Sequence, residues 1–177
     1  MLYILLIILS ILIIVTLSIY NVLIKLKNQV NQSKSGIDVY LNQRFDLIPN
    51  LVECVKAYTK HENETFENVT KLRQLYNETK NLKDASKLNN DLNKILFIAE
   101  NYPELKASEQ FLNLQKNLTK IESQLQAARR IYNNDVTKYN TKIQSIPSNI
   151  IANLFGFKPF DLFQIEEYKK DNINIEM

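Results

Sequence analysis

The sequence is short of every residue that breaks a chain or builds a compact reactive site. Its 177 residues include two glycines, Gly36 and Gly156, and four prolines, Pro49, Pro103, Pro147 and Pro159. So few breakers argue for long helices joined by short turns, and two glycines cannot build a phosphate-cradling loop. One cysteine, Cys54, excludes an intramolecular disulfide and any multi-cysteine metal site. One histidine, His61, lies in the polar turn Lys60-His61-Glu62-Asn63 with no second His or Cys near it, so a helix-terminal or exposed structural place is expected for it. Tryptophan is absent while Asn and Lys abound, a pattern of genomic base bias with no mechanism attached. Charge of either sign is also missing from the first 24 residues.

That last absence carries the most. Met1 to Ile24 is an unbroken run dominated by Leu, Ile and Val, roughly 36 Å long as a helix against a hydrocarbon core of about 30 Å. Ser10, Thr16 and Ser18 can return their hydroxyls to the helix backbone. No basic segment precedes the run, and Thr16-Leu17-Ser18 is a weak cleavage site. A retained transmembrane anchor is therefore expected rather than a signal peptide. Lys25, Lys27 and Lys34 follow the run before any acidic residue. The positive-inside rule then places a short N-terminus outside and the bulk of the chain in the cytoplasm, at the cell membrane, as a single-pass protein.

Beyond the anchor, apolar residues recur at steps of three and four. Ile37, Leu41, Ile48, Leu51, Val52, Val55 and Tyr58 form one stripe, with Arg44 and Pro49 interrupting. Pro49 either opens a new helix capped by Asp46 or kinks a continuous one. Glu62, Phe66, Val69, Leu72 and Tyr76 mark a second helix. Leu88, Leu92, Ile95, Leu96 and Ala99 mark a third, within about 85–100. After the break at Tyr102-Pro103, a helix over about 104–143 carries Phe111, Leu114, Leu118, Ile121, Leu125, Ala128, Tyr132 and Val136. A stripe of that length needs partner helices throughout, in coiled-coil-like packing. The expected fold is all-α: a transmembrane helix (1–24), an antiparallel four-helix bundle with long helices (25–145), and an aromatic extended segment with a frayed tail (146–177). The first bundle helix can run on directly from the anchor.

The chemistry expected of such a chain is sparse. Cys54, beside Val55 on a helical face, reads as a small core residue. No nucleotide-binding, zinc-protease or nucleophile-elbow motif occurs, so no enzyme, cofactor or metal is expected. Charges of both signs interleave around a net of +3, which gives no nucleic-acid footprint. Asp38, Arg44, Asp46, Glu53, Glu122 and Arg129 fall near the apolar stripes, with Arg73 and Arg130 beside them, and read first as a structural polar network fixing helix register. Read instead as a polar groove of a hydrolase or ligand sensor, Arg44, Glu53 and Glu122 would have to converge. Tyr132-Asn133 and Tyr139-Asn140 repeat at seven residues, on one helix face two turns apart, and the tyrosines are expected buried with paired hydroxyls. Phe155, Phe157, Phe160 and Phe163 either fold back over the bundle or form an interaction surface.

Several stretches together resemble a known family. Ile37-Asp38-Val39, Arg44, Asp46-Leu47-Ile48-Pro49-Asn50-Leu51-Val52-Glu53, Tyr58 and His61-Glu62 are similar to the signature of the LemA family. So are Tyr102-Pro103-Glu104-Leu105-Lys106, Ala128-Arg129-Arg130, Tyr132-Asn133, Tyr139-Asn140, Ile146-Pro147-Ser148-Asn149 and Phe155-Gly156-Phe157. The tryptophan usual just upstream of the Ile-Asp-Val motif is replaced here, where Lys34 or Ser35 stands. The resemblance implies a bacterial single-pass membrane protein with a helical-bundle domain, a short extracellular N-terminus and no catalytic residues to carry over. One branch of the family is associated with magnetosome membranes. The function expected from residues and resemblance together is a non-enzymatic, membrane-anchored scaffold or assembly protein of the cell envelope. It would contact membrane lipids through its N-terminal helix and associate with itself or with protein partners. The alternative is lipid binding or membrane remodelling through Lys25, Lys27, Lys34 and the aromatic segment.

Overall fold

The computed structural model describes residues 1–59, 63–79 and 82–163; His61, Glu62 and the charged end from Glu166 lie outside them. The described chain is all-helical. Its elements are α1 (Leu2–Asp46), α2 (Ile48–Lys56), α3 (Asn63–Thr79), α4 (Leu82–Glu100), α5 (Pro103–Lys106), α6 (Glu109–Gln144) and α7 (Ser148–Leu154), with no strand among the described residues.

The apolar run and the start of the first stripe, Ile37 and Leu41, lie on one helix, and the rest of that stripe falls on α2 and just after it. Gly36 does not interrupt α1: a single glycine costs a helix only about 1 kcal/mol, which burial of Val30, Ile37 and Leu41 on either side of it offsets. As expected from their placement, Ser10, Thr16 and Ser18 donate to the carbonyls of Ile7, Leu12 and Ile14, each at 2.8 Å. From Leu2 to Leu17 every large apolar side chain is exposed, and among the described residues this is the one helix long and apolar enough to cross a membrane. Pro49 does not kink α1. It lies in the first turn of α2, where its missing N–H is no loss, and Leu47 rather than Asp46 holds the cap position, with no side-chain bond. The break at Tyr102-Pro103 leads first into α5, a single turn. The long helix starts later than its stripe predicts, at Glu109, because Ser108 supplies a cap: its Oγ accepts from the Phe111 amide at 3.5 Å.

The chain divides into two compact units, the boundaries falling inside α1 after Gly36 and inside α6 before Ala128. The central unit, Ile37–Ala127, packs α3 along α4, with α2 against both and α5 against α4. Its core is Ile37, Leu41, Phe45, Ile48, Leu51, Val55, Phe66, Val69, Tyr76, Leu88, Leu92, Ile95, Leu105, Phe111, Leu118 and Leu125, largely the striped positions, and Tyr58 stands exposed. The Phe45 and Tyr76 rings meet edge-on with centroids 4.9 Å apart.

The terminal unit joins Met1–Gly36 to the chain from Ala128 onward. Leu23, Val30, Tyr132, Val136, Tyr139, Ile143 and Ala152 are buried in it. After α6 comes a turn with a cis Ile146–Pro147 bond, then α7, a turn at Phe155 and Gly156, and a segment without regular helix over 157–163. Part of the stretch expected to be extended is thus helical. Gly156, at φ +70°, turns the chain out of α7.

Candidate functional site

In the terminal unit the two Tyr-Asn dipeptides of α6 hold the extended segment in place. The Tyr132 hydroxyl donates to the Asp161 carbonyl at 3.0 Å, and the Tyr139 hydroxyl donates to the Lys158 carbonyl at 3.1 Å. Each asparagine makes a two-way bond with one backbone residue. Asn133 Nδ2 donates to the Phe163 carbonyl (3.0 Å) while its Oδ1 accepts from the Phe163 amide (2.7 Å). Asn140 treats Phe160 identically, at 2.8 and 3.0 Å. The side-chain amide carries one donor edge and one acceptor edge, the same pair that a neighbouring strand would offer.

The repeat matches in length as well as in chemistry. Seven residues of α-helix rise roughly 10.5 Å, and three residues of extended chain span roughly 9–10 Å. Positions 132 and 139 therefore meet 161 and 158, and positions 133 and 140 meet 163 and 160, so the segment runs antiparallel to α6. Phe157, Phe160 and Phe163, at the same three-residue spacing, turn towards helix residues. Phe160 lies edge-on to Tyr139 at 5.2 Å, Phe163 lies under the Arg129 guanidinium at 4.7 Å, and Phe157 and Phe155 pack on Tyr20 of α1 at 5.8 and 4.9 Å. Lys27 is 5.9 Å from the Phe157 ring, while Lys25 and Lys34 are exposed on α1. Burial pushes the Tyr139 and Tyr132 phenols up, the charge of Asp161 adding to the effect at Tyr132.

In the central unit the polar positions are charged instead. Arg44 of α1, only 6% exposed, is paired with Glu122 of α6. Gln126 Nε2 donates to the other oxygen of Glu122 at 3.4 Å. Arg73 of α3 closes the C-terminus of α1, its Nε donating to the Phe45 carbonyl at 3.0 Å and its Nη2 to Asp46 at 3.1 Å. A cation there satisfies a helix-end carbonyl and complements the helix dipole. Asp38 is half-buried on α1, and its charge adds to the burial that pushes the Tyr76 phenol up to about 12. Arg44 and Glu122 also line a shallow open groove with Leu96, Leu118 and Gln126; Glu53 is exposed on α2 and is not part of that lining. Cys54 is buried, which pushes its thiol up and away from reactivity.

The six expected network positions thus sort into the Arg44–Glu122 pair, the Asp46–Arg73 pair, Asp38 near Tyr76, Glu53 exposed, and Arg129 over Phe163 in the terminal unit. Sequence reasoning did not find the acceptors of the Tyr-Asn pairs, because backbone carbonyls leave no mark in sequence. The available signal was the coincidence of a seven-residue Tyr-Asn repeat with a three-residue Phe repeat. Among the described residues no three metal-ligating side chains come together.

Fold and sites together define an all-helical protein with one apolar N-terminal helix, whose polar side chains bind its own helices and its own extended segment. The LemA family model matches residues 33–177, and the chain belongs to the LemA family. It is similar to Protein LemA of Metamycoplasma hominis, 26% identical over 159 residues, which cover 87% of this chain and 73% of that protein. It is also similar to Magnetosome protein MamQ 2 and Magnetosome protein MamQ 1 of Paramagnetospirillum magneticum, at 22% identity over 175 residues, 82% of this chain and 64% of each of those proteins. The chain thus spans less than two thirds of the magnetosome relatives. Neither the family description nor these names is that of an enzyme.

Proposed function

We propose that this protein is a non-enzymatic, membrane-anchored helical scaffold of the bacterial cell envelope, holding copies of itself or protein partners at the cytoplasmic face. The observation that carries the reading is α1, a single helix whose exposed apolar run continues directly into buried core positions of the central unit. A helix that carries both a membrane-length apolar run and core positions of the folded domain ties that domain to a membrane through its own secondary structure, which suits a scaffold. The reading includes a domain of antiparallel four-helix type, its long members being the second half of α1 with α3, α4 and α6. It also takes residues 1–24 as the membrane span, and Lys25, Lys27 and Lys34 as the cytoplasmic charges that set its direction. Two relatives named for the magnetosome lend support to a role in organising a membrane.

The interaction surface of this reading includes Phe155, the most exposed of the four phenylalanines. Size and mass measurement of the detergent-solubilised full-length protein, with crosslinking in cells, tests it. Oligomers or a retained partner are expected. A strictly monomeric species that captures no partner would overturn it.

A further inference from the structure

Helix α7 is inside out for a water-exposed helix. Its inward positions are small, Ser148 and Ala152 being 1% and 2% exposed, and Ser148 Oγ is spent on the Lys142 carbonyl at 2.6 Å. Its outward positions are mostly large and apolar, with Asn153 the exposed polar exception. Ile150 and Leu154, one turn apart, are 63% and 73% exposed; Ile146 ahead of the helix and Phe155 after it are 83% and 53% exposed. No charged residue occurs between Lys142 and Lys158. A contiguous exposed apolar face of this kind marks an interaction site.

The terminal unit also says what the face meets. Phe155, directly after α7, packs on Tyr20 at 4.9 Å, and Phe157 packs on the same ring and lies beneath Lys27. Tyr20 stands near the end of the apolar run, roughly 7 Å along the helix before its first charged side chain, the level at which aromatic side chains sit in a membrane interface. The first charge of α1, Lys25, follows it. The end of α7 is therefore held at the depth where the anchor leaves the hydrocarbon. Lysines at both ends of the uncharged stretch suit anionic headgroups, their stems lying along apolar surface and their amines in the headgroup layer.

We propose that α7 is an interfacial membrane helix, a second lipid contact in which Ile146, Ile150, Leu154 and Phe155 enter the boundary between headgroups and acyl chains beside the anchor. This rests on the reading of α1 as a membrane span and goes beyond it. The contact would fix the terminal unit's rotation about the anchor, which a lone spanning helix leaves free.

The test uses full-length protein, with Cys54→Ala, reconstituted into phosphatidylcholine–phosphatidylglycerol vesicles. An environment-sensitive fluorophore is attached at Ile150→Cys or, separately, at Leu9→Cys, and circular dichroism checks that each variant retains its helix content. The Ile150 probe is expected to shift to the blue on reconstitution and to lose most of its emission to a nitroxide placed near the lipid headgroups. The Leu9 probe should be quenched by a nitroxide deep in the acyl chains. Quenching at Leu9 with a water-exposed Ile150 probe overturns the proposal and leaves the anchor standing. An Ile150 probe shielded from water yet untouched by lipid nitroxide means that protein covers the face, and also overturns it. Failure at both positions overturns the anchor reading as well.

Discussion

The two units solve the same problem, holding one long helix against its neighbours, with opposite kinds of polar group. In the central unit the contacts are ionic: Arg44 with Glu122, and Arg73 with Asp46 and the end of α1. In the terminal unit they are neutral and repetitive: two tyrosines and two asparagines bonded to the backbone of residues 158–163. Buried charges are exacting, since a partner must be present and correctly placed, and breaking one pair costs far more than the pair adds. Neutral amide and phenol bonds to backbone are each worth about 1 kcal/mol, tolerate substitution better and can open one at a time. At the buried Arg44 the central unit is thus strict about its partner. The extended segment is built to be held by increments, and this contrast can be attacked from either side.

The largest effect is expected at the ion pair. Glu122→Ala removes the carboxylate facing a guanidinium that is itself buried, and should lower stability by about 3 kcal/mol, the lower end for a buried pair because Glu122 is partly exposed. Replacing both partners with apolar residues, Arg44→Met with Glu122→Leu, should restore much of that loss. Denaturant unfolding of the solubilised protein measures both. A double variant as unstable as the single one would mean that the pair acts through packing and not through charge.

Alkaline pH provides the next effect. Tyr76 is 1% exposed and its phenol is pushed from 10.0 to about 12, by burial first and then by Asp38. Between these values the unfolded chain has released a proton that the folded chain still holds. Stability is therefore unaffected below about pH 10 and falls as pH rises towards about 12, by roughly 2–3 kcal/mol for a two-unit shift. Tyr132 and Tyr139 act in the same direction. Tyr76→Phe should flatten the central unit's share of this slope, leaving the part that comes from the tyrosines of the terminal unit. Unfolding followed across that pH range, in parallel with phenolate absorbance, separates the two regions.

What was legible in the sequence follows the same division. The central unit's helices show in their stripes, because burial writes a period of three and four into Leu, Ile and Phe, and most striped positions are buried, with Leu72, Leu96 and Ile121 half-buried and Tyr58 exposed. Boundaries were less legible: α6 begins at Ser108's cap rather than at about Glu104, and Gly36 leaves α1 intact. The ionic positions were visible as charges beside stripes, but their partners were not, since Arg73 meets a backbone carbonyl as well as Asp46. In the terminal unit, α7 escaped notice because its large residues face outward and its small ones inward, which inverts the usual pattern. Tyr132 and Tyr139 were readable as buried and paired, whereas the segment they hold could be reached only through structure.

The smallest global effect, and the sharpest test of the contrast, lies in the Tyr-Asn ladder. Asn133→Ala and Asn140→Ala each remove one donor and one acceptor from Phe163 or Phe160, at about 1 kcal/mol per bond lost. Because the segment is bound by separate neutral bonds, the loss should be local. Amide exchange at Phe163 should quicken in the first variant and at Phe160 in the second, while the unfolding midpoint of the central unit stays where it was. Asn140→Asp refines this further. A carboxylate still accepts from the Phe160 amide but turns a second oxygen towards the Phe160 carbonyl where a donor had been. It should therefore release the segment more than alanine does above the carboxylate's own titration, and less below it, where the protonated acid regains a donor. A global loss of stability in either alanine variant would instead mean that the extended segment is an integral part of the fold, as strictly required as the Arg44–Glu122 pair.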